Sequence, residues 1–204
     1  MPSEYDPLRP RRPLSGEASD LDRVQALFSA AARGYLKSPW PWLCWAIVLP
    51  ATATVTSDVA AAGGPLAVLI LWSVAILLAG AVEGITMWRS RGAAVASDIT
   101  RWVFRGQGNL SLVAVVLTAA LAWQGRYELL PGVWLLLVGH SLFTVGGLAA
   151  KPLERGGLLY QFGGVCCLLP WFGSLTVFAI TTAVANGMIA GSLWLNARRE
   201  RSMR

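Results

Sequence analysis

Charged residues are scarce in this chain, since aspartate, glutamate, lysine and arginine together make up 14% of its 204 residues. Soluble domains are typically about one quarter charged, so this composition excludes an ordinary soluble domain. Hydrophobic residues make up 55% of the chain and are gathered into long runs. We therefore expect an all-α protein that forms one polytopic bundle in a membrane.

Cysteine and histidine are also rare. Cys44, Cys166 and Cys167 all stand in apolar runs, and a direct bridge between the two neighbours would be strained. We expect all three to be reduced packing residues, because no CxxC or Cys/His spacing suggests a metal site. His140 is the only histidine. A haem held between helices usually needs a second axial ligand, so the sequence predicts neither a metal nor another cofactor.

Common catalytic motifs are missing as well. The chain has no GxSxG, no HExxH and no phosphate-binding loop. It also lacks the cluster of carboxylates or histidines that membrane enzymes require. We expect no catalytic residues, no enzymatic activity of its own and no nucleic-acid partner.

The N-terminal region differs from the rest. Residues 1–18 carry four prolines with mixed charges and predict a disordered tail. Over 19–38, apolar residues recur at steps of three and four, which predicts an amphipathic helix lying on the membrane surface. The alternative is a helix packed on a cytosolic partner. No apolar core with a cleavage site precedes residue 39, so we expect no removable signal peptide.

Apolar runs over 39–196 predict six transmembrane helices, followed by a basic tail over 197–204. Four runs stand alone, and the 43 residues that follow suffice for two crossings of about 20 residues each, with PWFG as the turn between them. The third run extends backwards through DITRWVFRG and the fifth backwards to Pro152, which suits a first helical turn. The four single runs cover residues 40–56, 65–88, 109–123 and 129–149. The last two crossings share residues 152–194, and the turn between them is 170–173.

The basic residues predict the orientation. With the N-terminus in the cytoplasm, six spans leave 16 of the 17 lysines and arginines on the cytoplasmic side, and only Arg126 lies outside. We expect a bacterial inner-membrane protein with both termini cytoplasmic. The external loops, over 58–64, 124–128 and 170–173, are too short for a binding domain. The largest cytoplasmic loop, 89–108, carries four arginines that either bind anionic lipid headgroups or only set the topology.

Three polar residues fall inside the predicted spans, namely Glu83, His140 and Asn186. Ionisable groups are costly in hydrocarbon, so we expect them to face the bundle interior and to find partners. One hypothesis is a proton relay through Glu83 and His140, although their predicted depths differ by about 7 Å. The alternative is that these groups join neighbouring helices by hydrogen bonds.

Small residues at four-residue spacing occur in two spans and indicate close helix packing. Gly80 and Gly84 stand in the second span, and Ala183, Gly187 and Gly191 form a ladder in the sixth. This packing is either within the chain or, for the sixth span, across a homodimer.

The sequence favours a protein without catalysis, acting as an accessory, sensory or assembly component of a membrane complex with a membrane or cytosolic protein partner. The alternative is a small secondary transporter or proton-linked channel with Glu83, His140 and Asn186 lining the path. A haem-binding or catalytic membrane subunit is a third hypothesis. We find no convincing internal repeat in the sequence itself.

Overall fold

A computed structural model describes residues 38–90 and 98–202. The predicted tail over 1–18 and the predicted surface helix up to residue 37 lie outside the described residues, as do 203–204. The described part is all-helical and contains no strand. Its elements are α1 (Trp40–Ser90), α2 (Asp98–Trp123), a 3-10 turn (Tyr127–Leu129), α3 (Leu130–Ala149), α4 (Lys151–Leu168) and α5 (Ser174–Ser202).

Four helices in the described ranges are long and apolar enough to cross a membrane. They cover Trp40–Thr86, Arg105–Trp123, Tyr127–Gly147 and Ser174–Arg199. Helix α4 is not among them, and its 18 residues include three charged ones, Lys151, Glu154 and Arg155. The length and apolar character of these helices indicate a membrane protein, in agreement with the composition.

Helix α1 is a hairpin of two arms, 40–63 and 65–90, that meet at Gly64. Gly64 has φ 66° and ψ −166°, which lies outside the helical region and is open essentially to glycine alone. Two hydrogen bonds join the arms. The indole Nε1 of Trp45 donates to Oε2 of Glu83 at 2.9 Å, and Nε1 of Trp72 donates to Oγ1 of Thr56 at 3.1 Å. In a straight helix the first pair would be about 57 Å apart, so the arms must run antiparallel.

Helices α2 and α3 form a second hairpin that is closed by the same kind of hydrogen bond as the first. Nε1 of Trp134 in α3 donates to Oγ1 of Thr118 in α2 at 3.0 Å, and again 16 residues separate the two partners. Each threonine also donates to the carbonyl four residues earlier in its own helix. A glycine with positive φ stands between the partners in both hairpins, at Gly64 and Gly125. The two hairpins thus share one closing hydrogen bond, although the sequence shows no convincing internal repeat.

Helices α4 and α5 form a third, central hairpin. Helix α1 packs against α5, and α3 packs against α4. Trp72 and Trp134, one from each flanking hairpin, both contact the core around Tyr160 and Phe178. The rings of Trp72 and Phe178 meet edge to face, with their centroids 5.6 Å apart. The two flanking hairpins are therefore held by the central one, and α2 packs mainly on α3 at the edge.

The boundaries of the elements confirm some sequence-based expectations and correct others. Helix α2 begins at Asp98, so the third run does extend backwards through DITRWVFRG. Pro152 stands in the first turn of α4, as expected. The chain does reverse within the range predicted as a loop over 58–64, but the loop is shorter than expected, because the helix continues to Gly63 and reverses at Gly64 alone. The apolar pattern could not reveal this, since alanines and glycines in that stretch suit either a helix or a loop.

Candidate functional site

Glu83 lies half-buried in the C-terminal arm of α1 and faces the N-terminal arm. Its carboxylate accepts the indole hydrogen of Trp45, and both residues lie nineteen positions from Gly64. A carboxylate near hydrocarbon is stabilised when a fixed donor points at it, because an unsatisfied polar group there is costly. Glu83 therefore helps to close the first hairpin.

Asn186 is the most enclosed of the three predicted polar residues, with 2% of its surface exposed. Its Nδ2 donates to the hydroxyl oxygen of Tyr160 at 2.7 Å, and Tyr160 is itself buried. The bond links α5 to α4 in the middle of the central hairpin. The expectation that Asn186 faces the interior and finds a partner on another helix is confirmed.

His140 is exposed on the outer surface of α3, so the expectation that it faces the bundle interior was wrong. Its neighbour Ser141 is buried and accepts a hydrogen bond from Nε2 of Gln107 in α2. The helix period explains the reversal, because consecutive residues in a helix point about 100° apart. Ser141 turns towards α2, and His140 consequently turns away from the core.

The fold places the three polar residues in three different hairpins. Glu83 belongs to the first hairpin, His140 to the second and Asn186 to the third. Glu83 and Asn186 are each hydrogen-bonded to a different aromatic side chain, and His140 points outwards. This arrangement suits groups that join helices better than it suits a row of groups that pass a proton.

The closest helix contact lies between α3 and α4 and is made by glycines seven residues apart. Gly132, Gly139 and Gly146 of α3 face Gly157 and Gly164 of α4. A Cβ atom added to Gly139 would lie 2.7 Å from the backbone N of Gln161 and 2.9 Å from the carbonyl oxygen of Gly157. The seven-residue repeat keeps one seam in contact along two antiparallel helices. These glycines make α3 and α4 a tightly joined pair.

The small residues chosen from the sequence have a different environment. A Cβ atom at Gly80, Gly84, Gly187 or Gly191 would meet no heavy atom within 4 Å in the part of the chain that the structure describes. Ala183 is partly buried. A homodimer seam through α5 stays a prediction. The close glycine contacts follow a seven-residue spacing, so the four-residue spacing in the sequence did not predict them.

Residues 38–90 and 98–202 contain no group of three or more histidine, cysteine, aspartate or glutamate side chains placed to hold a metal ion. The described geometry thus offers five hydrogen bonds between side chains that join helices or arms, a glycine seam and an outward imidazole as its distinctive features. Comparison with protein-family models, with curated proteins and with solved structures finds no match to this chain.

Proposed function

We propose that the chain crosses a bacterial inner membrane six times, with both termini in the cytoplasm. The arms of α1 supply two crossings, and α2 to α5 supply one each. Trp42, Leu153 and Ile189 form a shared cluster at one end of the bundle. The three turns between paired helices, at Gly64, near Gly125 and at 169–173, belong to the other end. Arg89, Lys151 and Arg199 belong to the first end and Arg126 to the second, which supports the orientation that the positive-inside rule gives.

Labelling of single cysteines tests this topology. In a background without native cysteines, Arg126→Cys is expected to react with a membrane-impermeant maleimide added to spheroplasts, because residue 126 lies in an external turn. Arg199→Cys is the matched control and is expected to react only after the membrane is opened. Equal reaction of both variants in intact spheroplasts would rule out the six-span arrangement.

We propose further that the protein has no catalysis of its own and serves as an accessory, sensory or assembly component of a membrane complex. The observation that carries this proposal is that two polar side chains inside the bundle are engaged in hydrogen bonds between helices or arms. Glu83 and Asn186 are each hydrogen-bonded to an aromatic residue of another helix or arm, which is the role of an interhelical bond. Because the external turns are too short to form a binding domain, we expect a partner to bind within the membrane or at the cytoplasmic face, where anionic lipid headgroups also lie.

Native mass spectrometry of a tagged copy, extracted in mild detergent from its own membrane, tests the role. A stoichiometric foreign subunit is the expected result, because an accessory component acts through another protein. The control is a tagged, unrelated six-span protein from the same membrane. A spectrum with no foreign subunit would contradict the proposal and favour the transporter alternative. In that case Glu83→Gln and His140→Ala should abolish a pH-dependent flux.

A further inference from the structure

The outer face of the α3–α4 pair carries polar side chains in an otherwise apolar surface. Its exposed apolar residues include Phe143 on α3 and Leu158, Phe162 and Val165 on α4. Phe162 keeps 71% of its surface accessible. His140 is exposed among these residues. We call the surface formed by these five residues and Gln161 the His140 face.

His140 and Gln161 lie at the same depth in the bundle. The backbone N of Gln161 is in close contact with Gly139, the residue before His140. Within the described ranges, neither the imidazole of His140 nor the side-chain amide of Gln161 has a hydrogen-bond partner. His140 stands nine residues before the end of α3 at Ala149, which is about 14 Å along the helix. Two polar groups at that depth need a partner that is itself inside the membrane.

We propose that a second copy of this chain covers the His140 face and that the protein is a symmetric dimer about an axis along the membrane normal. Such an axis keeps every residue at its own depth, so each polar group meets the matching groups of the other copy. A neutral imidazole has one donor and one acceptor nitrogen, and a carboxamide has both kinds of group as well. The His140 face is therefore complementary to itself.

The glycine seam also favours this face over the others. Because backbone contacts hold α3 to α4 along the seam, the His140 face belongs to a rigid pair of helices. A rigid surface loses little conformational freedom on association. Large exposed side chains on either side of the polar pair then supply apolar contact area around it.

Disulfide crosslinking in native membranes tests the dimer. In a chain with Cys44, Cys166 and Cys167 changed to alanine, His140→Cys is expected to give mainly disulfide-linked dimer on mild oxidation, because the axis brings the two copies of this position together. Leu77→Cys is the matched control, since Leu77 is exposed on α1 and lies 13 residues from the Gly64 turn. It should crosslink at least tenfold less.

A second measurement separates the interface from the fold. His140→Leu is expected to weaken dimerisation in mild detergent about tenfold, as two symmetry-related hydrogen bonds in a membrane would. The helix content and melting temperature of the monomer should stay unchanged, because the imidazole bonds to no described residue. A monomeric wild-type protein, or equal crosslinking of Leu77→Cys, would overturn the dimer. A dimer without a foreign subunit would uphold it while contradicting the accessory role, so the two proposals fail separately.

Discussion

Gly139→Ala is expected to lower the free energy of unfolding by about 3 kcal/mol, at the upper end of what overpacking usually costs. The added methyl group would lie 2.7 Å from the backbone N of Gln161 and 2.9 Å from the Gly157 carbonyl oxygen. Backbone atoms cannot move aside as a flexible side chain can, so α3 and α4 must separate along the seam. Helix content followed during thermal or detergent-induced unfolding measures the loss.

Gly147→Ala is the matched control for this substitution. It makes the same change in the same helix, but a Cβ atom at Gly147 meets no heavy atom of the described residues within 4 Å. Since alanine is the better helix former by up to about 1 kcal/mol, we expect unchanged or slightly raised stability. Similar losses for both variants would mean that the seam does not hold α3 and α4 together.

Gly64→Ala is expected to lower the free energy of unfolding by roughly 3 kcal/mol, because the first hairpin reverses at that residue. Its φ of 66° and ψ of −166° belong to a region that is strained for any residue with a Cβ atom. If alanine instead became helical, α1 would be a straight rod of 51 residues, about 76 Å long. The bonds from Trp45 to Glu83 and from Trp72 to Thr56 would then be lost. The same unfolding measurement applies.

The control for Gly64→Ala is Gly80→Ala in the same helix. Gly80 is helical, and a Cβ atom there finds open space among the described residues. Its stability should match the wild type within about 0.5 kcal/mol, as for most surface substitutions. A drop as large as that of Gly64→Ala would show that α1 tolerates alanine poorly anywhere, and that the backbone of Gly64 has no special importance.

Composition and hydropathy predicted the membrane class, the helical fold and most helix positions, because burial in lipid demands long apolar helices. They could not place side chains around each helix. A lipid-facing surface is as apolar as a packed one, so the run around His140 gave no sign that Ser141 faces α2 while His140 faces outwards. The partner of Asn186 was equally hidden, since Tyr160 lies 26 residues away on another helix.

The bond that the two flanking hairpins share was hidden for a different reason. What the two hairpins share is a threonine and a tryptophan 16 residues apart, with a positive-φ glycine between them. Two residues in some fifty leave little trace in the sequence. The hydrogen bond makes their relation visible, because the same donor and acceptor close both hairpins.

The position of the central hairpin also bears on how the protein is made. Helices α4 and α5 hold the two flanking hairpins together, yet the ribosome makes them after both of those hairpins. At about 5 to 20 residues per second, roughly 3 to 10 seconds pass between the end of α3 and the end of α5. During that interval Trp72 and Trp134 of the first two hairpins are not yet covered by α4 and α5. The two flanking hairpins therefore reach their packed positions only after α4 and α5 have been made, and a nascent protein that stops before α5 lacks the element on which α1 packs.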